Sequence, residues 1–244
     1  ITSDRMNVTD FTAYENTAPS DRKTQEMKDI FCRYVATITD ENSTMSALKR
    51  SFAGGALFEN AKVHNFDSTK KRSEVECDDG ALLMLGAPER VLDGDMLALY
   101  GDKVKGFAEQ GKRVLAFTVT RGAKTEVSLV CLKNELRDNA KDVFAYFEKQ
   151  GVAIRVISGD NPITVSRVAA EAGIKGWEKY VDATTLLTDE DIAEAVKKYV
   201  VFGRVTPEQK KKLVLAFKAC GLKVAMTGDG VNDILAMKEA DCSI

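Results

Sequence analysis

Apolar positions along this chain follow two different rhythms. Residues 138–150 place Ala140, Val143, Phe144 and Phe147 on one helical face, and Gly151 closes the stretch. Residues 152–157 then read as a buried-type strand running into Ser158-Gly159-Asp160, and residues 162–172 as a second helix stopped by Gly173. A short strand is predicted over residues 199–202. Thr206-Pro207-Glu208-Gln209 follows it as an N-cap, a proline at the first helical position and a capping-box glutamine. The stripe Leu213, Val214, Phe217 and the stop at Gly221 complete that helix, and residues 222–226 form the last strand. Alternating strands and helices predict a parallel sheet covered by helices, with ligands at the carboxyl ends of its strands.

The first half has another rhythm. Helical patterns over residues 21–37 and 43–52 precede shorter strand-like runs at 61–66, 73–77, 81–85 and 114–120, while residues 126–132 are β-like and open the alternating half. Clustered strands of this kind predict an antiparallel sheet with helices packed on it. A hinge over residues 132–136 is expected to join the halves. No internal repeat or low-complexity tract is present.

Composition narrows the class. The chain has 244 residues, 44% of them hydrophobic and 30% charged, the balance of a water-soluble globular protein of one large or two ordinary domains. No run nears the ~20 consecutive apolar residues that cross a bilayer, and the first residues carry no signal-peptide pattern. A net charge of -2 gives no case for nucleic acid or an anionic membrane surface as partner. The five cysteines are scattered without a Cys-x-x-Cys, which reads as reduced thiols, and the single histidine, His64, makes a zinc site or a His-based triad improbable.

The candidate chemistry sits in Met226-Thr227-Gly228-Asp229-Gly230-Val231-Asn232-Asp233. Asp229 and Asp233, four apart at a strand-to-helix turn, can converge on one hard cation, and Gly228 and Gly230 let backbone approach a phosphate. For Asp233 the alternative is a cap on the following helix. Lys210 lies in the first turn of its predicted helix, where an amine opposes the macrodipole unless an anion needs it; the alternative is a surface lysine in a run of three. Ser158-Gly159-Asp160 is either a phosphate-binding turn at a strand end or a solvated one.

Taken together, these motifs resemble the cytoplasmic nucleotide-binding and phosphorylation domains of P-type cation-transporting ATPases, over nearly the whole chain. Residues 226–233 match T-G-D-G-x-N-D, Ser158-Gly159-Asp160 resembles T-G-D, and Arg204-Val205-Thr206-Pro207-Glu208-Gln209-Lys210 resembles the segment bearing the phosphorylation-site lysine. Phe66-Asp67-Ser68-Thr69-Lys70-Lys71-Arg72-Ser73 resembles F-x-S-x-R-K-x-S, Gly86-Ala87-Pro88-Glu89 resembles K-G-A-P-E, and Gly111-Lys112-Arg113-Val114-Leu115-Ala116 resembles G-x-R-V-L-A.

The resemblance implies an α/β fold: a haloacid-dehalogenase-like, Rossmann-type phosphorylation domain over residues 1–7 and 134–244. An α+β antiparallel-sheet nucleotide-binding domain over residues 8–133 is inserted in it. It implies ATP as substrate and Mg²⁺ as cofactor, with Asp229 and Asp233 as metal ligands. Ser158, Gly159, Asp160, Lys210, Asp229, Asn232 and Asp233 form the catalytic set. Phe66 stacks on adenine, Gly86 allows close approach, and Lys71, Arg113, Arg137 and Arg204 contact the nucleotide. Adenine and magnesium contacts then lie on different domains, so catalysis is expected to require their closure. The whole pump would couple ATP hydrolysis through an aspartyl phosphate to cation transport, with Ca²⁺ the favoured ion. This region would lie on the cytoplasmic face, its membrane helices elsewhere in the polypeptide.

The sequence departs from the family pattern in four places. The phosphorylated aspartate of D-K-T-G-T is expected before Ile1, and Asp4 is not its match. Leu85 replaces the lysine of K-G-A-P-E, Met45 an adenine-contacting glutamate, and Asn134 the aspartate of D-P-x-R. Two other readings stay open: a haloacid-dehalogenase-type phosphatase, and a non-catalytic nucleotide-binding module.

Overall fold

The computed structural model describes residues 1–15, 17–228 and 230–244, apart from the Asp4 side chain. The chain divides into two compact units, Thr2–Glu135 and a second made of Ile1 with Leu136–Ile244.

The first unit is built on β1 (Thr2–Glu15), β2 (Ala18–Pro19), α1 (Asp21–Thr37), α2 (Ser43–Ser51), β3 (Lys62–Asp67), β4 (Arg72–Glu76) and β5 (Leu82–Gly86). It continues through α3 (Pro88–Val91), α4 (Gly94–Ala108), β6 (Arg113–Arg121) and β7 (Lys124–Leu136). Strands β3 to β7 form a meander, and β1 joins at the β7 edge, giving the order β2-β1-β7-β6-β5-β4-β3. Helices cover both faces. Leu115, Phe117 and Val119 of β6 pack with Phe31, Tyr34 and Leu48 of α1 and α2, while Val114 and Ala116 pack with Val91, Leu92 and Tyr100 on the other side. Burial on both faces explains why β6 is apolar at successive positions instead of alternating. Ser20 caps α1 by accepting from the Lys23 amide, and Asn42 caps α2 by accepting from Met45.

One boundary expectation changes. Residues 2–7, assigned from the sequence to the phosphorylation domain, run in β1, held by Asn7 Nδ2 donating to Glu135 Oε1 at 2.9 Å. The junction expected over 132–136 contains the boundary between the units, which falls between Glu135 and Leu136 at the end of β7. The place of β1 was not visible locally, since strand pairing between residues ~130 apart leaves no mark in a short sequence window.

The second unit contains α5 (Ala140–Lys149), β8 (Val156–Ile157), α6 (Pro162–Glu171), β9 (Tyr180–Asp182), α7 (Asp189–Lys198), β10 (Val201–Gly203), α8 (Pro207–Ala219), β11 (Ala225–Met226), α9 (Ile234–Glu239) and β12 (Cys242–Ser243). Its strands are parallel, in one set of order β8-β10-β9 and a pair β11-β12. Phe202 of β10 is fully buried against Leu213 and Phe217 of α8 and Ile192 of α7. The strands are shorter than their apolar runs: β8 covers only Val156 and Ile157, where β10 supplies ladder partners. Among the described residues no helix is long and apolar enough to cross a membrane.

Candidate active site

In the second unit the carboxyl ends of β8, β9 and β10 are tied together by backbone bonds. Ser158, just past β8, donates its amide to Phe202 O and accepts from the Val205 amide, both at 2.9 Å. Its Oγ accepts from the Asp160 amide at 3.2 Å, which closes the Ser158-Gly159-Asp160 turn upon itself. The Asp160 carbonyl in turn accepts from Arg204 N at 2.7 Å. Gly203 is required here: a Cβ on it would lie 2.3 Å from Pro162 Cα, the first residue of α6. Arg204 follows in the left-handed region (φ 53°) and donates from Nη1 to Asp182 Oδ2 at 2.7 Å. Burial works to raise the Asp182 carboxyl, but hydrogen bonds from Thr184 and the Arg204 guanidinium outweigh it and hold it below the usual carboxylate range.

Helix α8 opens directly after this cluster. Thr206 and Gln209 form the expected capping box, with Pro207 in the first turn. Lys210 Nζ lies 2.5 Å from Asp233 Oδ1, and both side chains are only 12% accessible. The amine that opposes the helix dipole therefore has its anion. The alternative role for Asp233 is also decided: α9 starts at the next residue, yet the Asp233 side chain makes no capping bond. Its Oδ2 instead faces the acidic turn, 2.9 Å from where a Cβ on Gly228 would stand and 3.8 Å from one on Gly230. Gly228 could carry no side chain, since its Cβ would sit 2.5 Å from Asp233 Cβ. Asn232 is exposed. Asp229, the other expected metal ligand, lies outside the described residues. Among the described residues no group of three or more His, Cys, Asp or Glu side chains is placed to hold a metal ion. Among the described residues this unit supplies a buried carboxylate paired with a lysine of α8, and a serine turn tied by backbone bonds to the segment that leads into α8. Arg137 donates its amide to Ile1 O at the start of the unit.

In the first unit strand register gathers four of the expected residues at one end of the sheet. Asp67 pairs with Arg72, Arg72 with Gly86, and Gly86 with Ala116, and Arg113 begins the same strand as Ala116. Phe66, Lys71, Gly86 and Arg113 thus share an edge. Phe66 is 46% exposed, unlike a core phenylalanine. The tight turn from β3 to β4 is built by Asp67 Oδ1 accepting from the Thr69 and Lys70 amides, which lowers the Asp67 carboxyl, and by Lys71 at φ 54°. Gly86 has a packing role: a Cβ on it would meet Lys71 O at 2.4 Å. Leu85 and Met45 are both buried in the core with Tyr34 and Phe117. The shallow depression of about 360 Å³ beside β1, which Val8, Asp10, Phe11, Lys28 and Phe52 help to line, includes no candidate residue.

Two functional-looking residues escaped the sequence analysis. Asp40 accepts from the Phe66 amide, and Asp182 holds Arg204; the first lies in a loop and the second ends β9, with no local pattern to mark either. His64 and Trp177 have ordinary partners, Glu76 and Arg167.

Comparison with known proteins agrees with this fold. The family model for haloacid dehalogenase-like hydrolases matches residues 24–241. A probable cation-transporting ATPase of Streptococcus pneumoniae, exp7, is 34% identical over 88% of this chain and 28% of its own length. The calcium-transporting ATPase CtpE of Mycobacterium bovis is 34% identical over 90% of this chain and 28% of its own. The chain thus spans under a third of the length of these relatives. The catalytic domain of the CPx-ATPase CopB-B superposes with a TM-score of 0.59 at 17% identity, covering 99% of this chain and 72% of that one, a likeness of fold. With its parallel strands, its acidic turn and a match over most of its length, the chain belongs to the haloacid dehalogenase-like hydrolases.

Proposed function

We propose that this chain is the nucleotide-binding and phosphorylation region of a P-type pump that couples ATP hydrolysis to cation transport. The observation that carries the reading is the Lys210–Asp233 pair, buried beside the acidic turn at the start of α8. Phosphoryl transfer requires charge compensation and rigid positioning more than covalent chemistry from the protein. Lys210 would neutralise the phosphoryl oxygens, and the Ser158 hydroxyl with the Gly159 amide would hydrogen-bond them. The nucleophile would be an aspartate carboxylate, which attacks the γ-phosphorus of ATP and forms an acyl phosphate as the bond to the ADP leaving group breaks.

Mg²⁺, when bound, would withdraw charge from the transferring phosphate. The residues fit that ion: it favours one or two carboxylates plus phosphate oxygens and water, and Asp233 keeps Oδ2 toward the Gly228–Gly230 turn while Oδ1 holds Lys210. Asp229 is proposed as the direct ligand, with Asn232 and Asp160 shaping the turns. In the first unit Phe66 is proposed to stack on adenine, beside Gly86, with Lys71 and Arg113 meeting phosphate. Arg137 and Arg204 are proposed as further nucleotide contacts, Arg204 already oriented by Asp182. Ca²⁺ is the proposed ion, supported by the name of the mycobacterial relative. The region would work at the cytoplasmic face of the membrane.

The test extends the chain by Asp-Lys-Thr-Gly-Thr before Ile1 and supplies ATP labelled in its γ-phosphate with Mg²⁺. Acid-stable label is expected on the new aspartate, and its loss in Asp229→Asn and in Lys210→Met. Label that survives Asp229→Asn would reject the metal assignment. Turnover of a generic phosphate ester by the chain without the added residues would favour a phosphatase instead.

A further inference from the structure

Asp40 lies in the short segment between α1 and α2, docked onto the end of β3. Asn65 Nδ2 donates to Thr39 Oγ1 and the Phe66 amide donates to Asp40 Oδ2, both at 2.8 Å. Lys49 Nζ holds the Asp40 carbonyl from the other side at 3.2 Å. The carboxylate is therefore fixed against the backbone of the exposed aromatic residue, and only one of its two oxygens is engaged by that amide. Among the described residues no ion pair involves Asp40.

Neighbouring polar and apolar groups of the same unit have other commitments. Met45 and Leu85 are buried side chains of the apolar core and offer no polar atom. The Tyr34 and Ser73 hydroxyls are buried and satisfy one another at 2.8 Å. Asn42 Oδ1 is committed to capping α2. Lys71 and Arg113 are cations, suited to phosphate and not to a base amine. Asp40 is thus an anionic acceptor held against the very residue on which a purine would stack. Adenine presents a donor amine at C6 and guanine an acceptor carbonyl, so a carboxylate there attracts the first and repels the second.

We propose that the free oxygen of Asp40 accepts the exocyclic amine of adenine stacked on Phe66, making Asp40 the residue that selects adenine over guanine nucleotides. This rests on the reading of Phe66 as the stacking residue.

Equilibrium binding of ATP and GTP with Mg²⁺ to the whole chain, unmodified and as Asp40→Asn and Phe66→Ala, tests it. Asparagine keeps an acceptor for the Phe66 amide but turns an NH₂ toward the base. The ATP-over-GTP preference is expected to fall by about tenfold or more in Asp40→Asn, the loss of one charge-assisted hydrogen bond. A readout independent of any variant's folding is N6,N6-dimethyl-ATP on the unmodified chain, expected to bind about tenfold more weakly than ATP. A preference unmoved by Asp40→Asn, or equal affinity for the dimethylated nucleotide, overturns the role of Asp40 while ATP binding that depends on Phe66 leaves the site intact. Absence of ATP binding, or binding indifferent to Phe66→Ala, overturns the site itself and this proposal with it.

Discussion

Lys210 and Asp233 show how much one contact can decide. A lysine in the first turn of a helix is electrostatically misplaced unless an anion faces it, and Asp233, 23 positions later, does so at 2.5 Å with both side chains nearly out of water. Removing one partner from such a pair strands the other charge in a low-dielectric setting. Lys210→Met and Asp233→Asn are each expected to lower stability by about 2–3 kcal/mol, below the cost for a fully buried pair because some solvent reaches both groups. The double variant should lose less than the sum of the two, measured by urea unfolding. Additive losses would show that the pair is not coupled. Phe66 is the residue-scale contrast: its half-exposed ring was assigned a role only through its motif, because an isolated phenylalanine at a strand end is ordinarily core.

At the level of elements, the hairpins of the first unit were legible and their reason for holding together was not. Runs at 73–77, 81–85 and 114–120 correspond to β4, β5 and β6 within a residue or two. The glycine at the end of β5 reads as a simple turn or a ligand-approach position. In the folded chain it is also where the Lys71 carbonyl crosses, so that any Cβ collides with backbone and not with a yielding side chain. Gly86→Ala is therefore expected to destabilise the first unit by about 1–3 kcal/mol and to shift the Lys71 and Arg72 amide resonances. A variant with unchanged unfolding midpoint and spectrum would refute the crossing. Helix α7 carried a readable capping box, Thr188 with Asp191, an acidic first turn and Lys197 and Lys198 at its end, and was still overlooked. α4 was hidden by Gly101 and Gly106, which weaken a helical pattern. Strand β1 was hidden by Arg5 and Asn7, exposed polar residues that interrupt its apolar pattern, and β2 pairs with it only at Tyr14 and Glu15.

Across the whole molecule, both units rely on carboxylates held charged. Asp182 with Arg204 serves the second unit; Glu126 with Lys23, and Asp10 with Lys112, serve the first. In each case burial raises the carboxyl, and hydrogen bonds from neighbours reverse that and leave it lowered. A folded-state value below the unfolded one contributes stability that is fully present above the unfolded value and is lost as pH falls through the folded one. Unfolding midpoints should therefore decline once the pH drops below the ordinary carboxylate range, about 4. Asp182→Asn should reduce the decline seen by a probe in the second unit and leave the first unit's unchanged. A midpoint that rises on acidification would contradict the sign.

The sequence alone determined what depends on neighbours within a turn or two: the cap at Thr206, the stops at Gly151, Gly173 and Gly221, and the strand-turn-helix setting of the acidic motif. Those features are local because a helix end satisfies its amides with the nearest side chain. Only the tertiary structure decided that Asp233 serves Lys210 and caps nothing, that Asp40 lies against Phe66, that Asp182 orients Arg204, and that residues 2–7 belong to the antiparallel sheet. Each joins groups more than 20 positions apart or pairs strands from opposite ends of a unit. Chain closure of that kind is settled by the packing of whole elements, and no periodicity of apolar positions encodes it.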